Sequence, residues 1–157
     1  MVNPSTMAAV PVATVEVLND LLDAELNSIF RFMGEGSPYL SRATAEVRRP
    51  LAQMVEASNR RAGELYALIE SLGGTPVPRG LRPEEQYLAF LSLEFLLPKL
   101  VEAQKLMIRR YEAAMKAVAK LNDGTPEAVA TLQAHLDETK QELATLQRAA
   151  DQVAAAK

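Results

Sequence analysis

The 157-residue sequence contains no cysteine, no tryptophan and a single histidine. Without cysteine there is no disulfide framework, no thiolate nucleophile and no cysteine-ligated metal. One histidine excludes a His-rich metal site and argues against a Ser-His-Asp triad. Four tyrosines and four phenylalanines are the whole aromatic content, leaving few platforms on which bases or sugars could stack. Charge of one sign is also missing. Seventeen Lys and Arg stand against twenty Asp and Glu, a net of −3. No electrostatic footprint for nucleic acid follows from that balance.

Long hydrophobic runs are absent too. The longest candidate, Tyr87–Leu100, is interrupted by Ser92, Glu94, Pro98 and Lys99, so no membrane span is expected. The N-terminal MVNPSTMAAVPVAT lacks a basic region ahead of its mildly apolar stretch. Residues 1–12 are therefore read as a flexible tail rather than a signal peptide. The expected compartment is the cytoplasm.

What the chain does have is alanine and leucine at helical spacing. Residues 13–157 read as a single all-α domain of four helices. The first is expected over about 13–33, with Val15, Leu18, Leu22, Leu26, Ile29 and Phe32 at steps of three and four. The second is expected over about 44–72, with Val47, Leu51, Met54, Val55, Ala62, Leu65, Leu68, Ile69 and Leu72 on one face. Gly73-Gly74 stops it, and Pro50 bends or delays its start. The third spans about 92–121, with Leu93, Leu97, Leu100, Met107, Tyr111, Ala114, Val118 and Leu121. The fourth spans about 126–154, with Val129, Leu132, Leu136, Leu143, Leu146 and Ala150. Thr125 is the natural N-cap for it, and Pro126 its first helical residue.

The links are short, long, short. Residues 73–91, rich in proline and glycine at the start, are too long for a tight hairpin. Two antiparallel helical hairpins joined by one long crossover is the topology this spacing predicts.

Each apolar stripe is interrupted by polar residues near its midpoint. Glu25 interrupts the first, Ser58 and Arg61 the second, Gln104 the third and Thr139 the fourth. Antiparallel helices of similar length align their midpoints, so these five residues are expected in one layer. Buried charge is costly unless paired, and Glu25 and Arg61 lie on adjacent helices where they can pair. Ser58, Gln104 and Thr139 are then available to satisfy the remaining donors and acceptors.

Three segments carry a resemblance to a known family. LNDLLDAELNSIFRF (Leu18–Phe32), RAGELYALIESLGGTP (Arg61–Pro76) and QKLMIRRY (Gln104–Tyr111) resemble the first three helices of the ferritin-like superfamily, close to the bacterioferritin pattern. The resemblance covers most of residues 15–150. It implies a di-iron centre built from a Glu on each of two helices and a Glu-x-x-His on each of the other two.

Carried over position by position, that donor set is mostly missing. Glu25 matches the first-helix glutamate. Ser58 and Arg61 stand at the second helix's Glu and His positions, and Gln104 at the third helix's Glu position. Leu136 and Thr139 fill the last pair, or Thr139 and Glu142 in an alternative register. The implied reading is a degenerate di-iron site in which a Glu25–Arg61 ion pair replaces the metal. No catalytic residue, cofactor or bound metal is then expected.

Other polar residues receive plainer readings. His135 lies at the edge of the fourth stripe and is read as a partly exposed structural residue. Tyr111 is placed to offer its hydroxyl to the polar layer. Glu102, opposite the apolar stripe beside Lys105 and Arg109, is read as a solvated salt-bridge partner. The tract Leu88–Leu97 has too many apolar residues for one face, so it covers the bundle end or forms a dimer surface.

The function expected is a non-catalytic binding or assembly role, as a homodimer with an unidentified protein or small-molecule partner. The alternative is an atypical metal-binding oxidoreductase or iron-handling protein. It would use Glu25 with Glu142, His135 or Glu64. A small-ligand carrier is a third class.

Overall fold

The fold, taken from a computed structural model, is described for residues 9–30, 46–78 and 93–155. Helix α1 covers Val12–Leu26, α2 Arg48–Ser71, α3 Leu93–Lys120 and α4 Pro126–Ala155. No strand occurs among the described residues, and no helix among them is long and apolar enough to cross a membrane. Most of the crossover and the start of the Leu88–Leu97 tract lie outside the described residues.

The helix ends follow local chemistry. Gly73 takes φ +82°, and its N–H bonds to the Glu70 carbonyl at 2.9 Å while the Gly74 N–H bonds to Ile69 at 3.0 Å. That pair of bonds is a Schellman cap, which needs a residue free to adopt positive φ. Thr125 Oγ1 accepts from the Ala128 N–H at 3.1 Å, so it caps α4 as the sequence predicts. Pro50 sits in the first turn of α2, where a missing N–H costs no intrahelical bond.

The first helix is shorter than its apolar pattern predicts. It begins at Val12, inside the expected tail, and ends at Leu26 rather than near residue 33. Asn27 Nδ2 reaches back to the Asp23 carbonyl at 3.0 Å and to Asp23 Oδ1 at 3.1 Å. Ser28 Oγ accepts from the Phe30 N–H at 3.2 Å. These short polar side chains compete for backbone groups and break the ladder. Ile29 and Phe30 are buried nonetheless.

Helix α1 packs on α2 and α3, and α4 packs on the same two. The cyclic order is therefore α1-α2-α4-α3. Contacts set the directions. Asn19 of α1 donates to the Thr75 carbonyl beyond α2, whereas Glu25 meets Ser58 and Arg61 further back along α2. Thr14 meets Asp123 after α3, and Glu25 meets Tyr111 within it. Neighbouring helices are thus antiparallel, and α2 ends at the opposite end of the bundle from the start of α3. A long crossover is required by that geometry.

The core is two apolar clusters rather than one. The first includes Leu18, Leu22, Leu65, Ile69, Tyr111, Val118 and Leu132. The second includes Ile29, Leu51, Met54, Leu97, Leu100 and Leu146. Partly buried Leu143 packs against both. Val129, expected in the stripe, is 37% exposed, and Ala128 is buried instead. In the apolar tract Leu96 and Leu97 are buried while Phe95 is 70% exposed.

One cap is long-range. Pro11 precedes α1 and offers no side-chain acceptor. Asp123 of the α3–α4 turn supplies it, accepting the Ala13 N–H at 3.0 Å and the Thr14 hydroxyl at 2.8 Å. A carboxylate there also complements the helix dipole. Asp123→Ala should cost about 1 kcal/mol, as for loss of an N-cap, and Asp123→Asn should retain most of it. An unchanged urea midpoint in the alanine variant would refute the cap.

Candidate functional site

The five residues expected in a central layer are all buried, each at 1% exposure or less. They lie between the two apolar clusters, because each replaces one apolar step in its helix. Glu25 and Arg61 form the expected pair, with Nε donating to Oε1 at 2.8 Å. Ser58 Oγ donates to Glu25 Oε2 at 2.9 Å. Tyr111 donates its hydroxyl to Glu25 Oε1 at 2.8 Å. The Glu25 carboxylate therefore accepts from three side chains on two neighbouring helices.

Gln104 and Thr139 meet differently from the expectation. Gln104 Nε2 donates to the Thr139 backbone carbonyl at 3.0 Å and to Glu142 Oε1 at 3.2 Å. The Thr139 hydroxyl turns back to the Leu136 carbonyl at 2.8 Å and gives nothing to the layer.

Further residues join the site. Arg61 Nη1 donates to Glu142 Oε2 at 3.1 Å and to Glu138 Oε1. Glu142 is 9% exposed and joins the layer through Arg61 and Gln104. Glu138 was not anticipated. It also pairs with Arg60, which bonds Glu64 at 2.9 Å. The partly exposed reading of His135 is corrected. The ring is 1% exposed, with Nε2 2.7 Å from Glu64 Oε2 and Nδ1 3.2 Å from the Tyr111 hydroxyl. The signal was present in the spacing, since His135, Thr139 and Glu142 fall at steps of four and three on one helix face. Glu102 pairs with Lys105 at 3.3 Å and is 70% exposed, as expected.

Electrostatics follow from these contacts. Burial alone would lower the Arg61 pKa, but the charges of Glu25 and Glu142 outweigh it and raise it above its already high ordinary value. Burial raises the Glu142 carboxyl, and Arg61 only partly offsets this. Burial and the Glu25 charge push the Tyr111 phenol well up. The hydrogen bond to His135, helped by Arg60, lowers Glu64 despite some burial.

The residues do not fit a pair of metal ions. A di-iron site of the implied kind needs two Glu and two Glu-x-x-His motifs facing inward. Here the Glu25 carboxylate is committed to three donors, and a guanidinium fills the space between Glu25 and Glu142. Among the described residues no group of three or more His, Asp or Glu is placed to hold a metal ion. A shallow depression of about 240 Å³ on the α2–α4 seam, lined by Gln53, Ala57, Glu138 and Glu142, opens the layer to solvent. A larger open groove of about 560 Å³ lies on the α1–α3 seam, lined by Asp23, Ala24, Ile29, Lys99 and Arg110.

Two outcomes follow. Glu25→Ala should strand the Arg61 charge and cost about 3–5 kcal/mol, and a thermal unfolding curve like that of the native chain would refute a buried pair. The raised Glu142 carboxyl means the folded chain holds a proton that the unfolded chain has released, over pH values just above the ordinary carboxylate range. Stability from this group falls as pH rises through that window. Glu142→Gln should flatten that fall in urea titrations, and an unchanged slope would count against it.

No family model and no curated protein matches this sequence. A solved structure does. It is a ferritin-like, diiron-carboxylate protein from Bacillus anthracis str. Ames, 21% identical, with a TM-score of 0.67 over 92% of this chain and 99% of that one. That likeness, with the cyclic order α1-α2-α4-α3 and the long crossover, establishes that the chain has the ferritin-like fold.

Proposed function

We propose that this chain is a metal-free ferritin-like bundle whose Glu25–Arg61 layer replaces a di-iron centre, and that it acts as a non-catalytic binding or assembly protein. The observation that carries the reading is the Arg61 guanidinium, 2.8 Å from Glu25 and 3.1 Å from Glu142. A fixed cation there neutralises the carboxylates that a metal would otherwise balance. The cation cannot be lost by reduction, oxidation or chelation. A redox cycle is not a role such a layer serves. Holding helix register is.

The partner proposed is a second copy of the chain, in the cytoplasm, together with a protein or small molecule. The α1–α3 groove has both charges at its rim, in Asp23, Lys99, Glu102 and Arg110, and an apolar wall in Leu106 and Met107. That mixture suits a partly polar ligand.

A second reading has one observation in its favour. The structural neighbour is described as a diiron-carboxylate protein, and Glu142, Glu64 and His135 stand within the same network as Glu25. A shifted ligand set drawn from them would make the chain an iron-handling oxidoreductase.

Elemental mass spectrometry of the untagged protein separates the two, before and after anaerobic incubation with Fe(II) and Mn(II). Metal far below one equivalent per chain is expected. One or two tightly held equivalents, lost on Glu25→Ala, would overturn the metal-free reading.

A further inference from the structure

The last turn of α1 carries two acids, Asp23 and Glu25, and no basic residue. A helix C-terminus is the negative end of its dipole, where acids are disfavoured and cations favoured. The fold treats the two acids differently. Glu25 faces the central layer and is offset by Arg61 at 2.8 Å. Asp23 lines the α1–α3 groove and pairs with no cation among the described residues.

Asp23 is 7% exposed, so little water reaches it. Its side chain has one hydrogen-bond partner, Asn27, whose Nδ2 donates to Oδ1 at 3.1 Å. Oδ2 accepts from no described residue. A carboxylate has room for about four hydrogen bonds across its two oxygens, and leaving a buried acceptor unmet is costly. A positively charged donor in the groove would satisfy Oδ2 and complement the end of α1 together.

The other walls of the groove set what that charge is attached to. Its volume of about 560 Å³ falls within the range of about 300–1,000 Å³ typical of small-molecule sites. Ala24, Ile29, Ala103, Leu106 and Met107 give it apolar surface. A hard metal ion is a poor match, because it takes several oxygen ligands, and among the described residues no three acids or histidines gather to hold one. Lys99 and Arg110 also line the groove. Both are exposed, where water and salt screen a charge, so the buried carboxylate decides the sign of the ligand.

We propose that the α1–α3 groove binds a small amphipathic amine, with its ammonium on Asp23 Oδ2 and its apolar body along Leu106 and Met107. This deepens the reading of the groove as a ligand site, and rests on it. The metal-free layer is a separate matter, because none of these groove residues bonds to Arg61.

The test is a titration of the uniformly labelled full chain, followed by amide ¹H–¹⁵N shifts at neutral pH and one ionic strength. Three probes share a phenyl ring and differ in charge: phenethylamine, 2-phenylethanol and phenylacetate. Phenethylamine should saturate, move the amides of Asp23, Ala24 and Asn27, and bind about tenfold more tightly than the alcohol, with phenylacetate weakest. Asp23→Asn keeps the side chain's size and should weaken the amine roughly tenfold or more, the worth of a charge-assisted hydrogen bond. It should leave the alcohol nearly unchanged. Leu106→Ala, on a wall residue that is 43% exposed, leaves the buried end of the groove intact and should weaken amine and alcohol alike.

Equal affinity for amine and alcohol, tightest binding of phenylacetate, or an amine affinity unmoved by Asp23→Asn or by Leu106→Ala would overturn the amine site. Each of these leaves the groove standing as a ligand site of another kind, provided the shifts map to it. No saturation by any probe through about 10 mM, an order of magnitude above a weak Kd of about 1 mM, would overturn both.

Discussion

A guanidinium at the centre of a helical bundle is tolerated only if anions meet it there. Arg61 is met by Glu25 from α1, and by Glu138 and Glu142 from α4. Removing its charge from water is the largest opposing cost in the layer, and the carboxylates must be within hydrogen-bond reach to offset it. That requirement ties three helices to one level. A shift of a single residue along α1 would rotate Glu25 off the core face and leave the guanidinium facing apolar side chains. The ion pair is therefore a constraint on register as much as a source of stability.

The rest of the bundle is arranged around that constraint. The apolar clusters fill the two halves, with Leu18, Leu65 and Leu132 above the layer and Leu51, Leu97 and Leu146 below it. Neither cluster tolerates a polar atom without a partner, so the polar atoms collect at one level and satisfy each other. Ser58, Tyr111 and Gln104 each donate into the layer from a position that would otherwise hold another leucine. Outside the layer, stability comes from ordinary helical devices, such as the Gly73 cap and the Thr125 cap.

Much of this was legible in the residue pattern. Steps of three and four located four helices, and the punctuation at Gly73 and at Asn122–Pro126 located two of their ends. The Glu25–Arg61 pair was legible because two opposite charges interrupt apolar stripes at matching depths. The end of α1 was not, because the apolar pattern continues through Ile29 and Phe32 while Asn27 and Ser28 capture backbone groups. His135 was misread because it sits one residue before Leu136. A helical pattern leaves such an edge position free to face solvent or a neighbour. Glu64 on α2 and Tyr111 on α3 draw the ring inward.

The sequence by itself determined the fold class, the long crossover and the level of the polar layer. These depend on period and spacing, which are local properties of the chain. Only the tertiary structure decided which polar groups meet. Asp123 caps a helix that begins more than a hundred residues earlier. Glu138 and Glu142 reach Arg61 across the α2–α4 seam, and the Thr139 hydroxyl turns away from the layer it was expected to join. Hydrogen bonds have short range and narrow angles, so their partners are set by how helices are rotated against one another. One-dimensional spacing leaves that rotation open, and packing closes it.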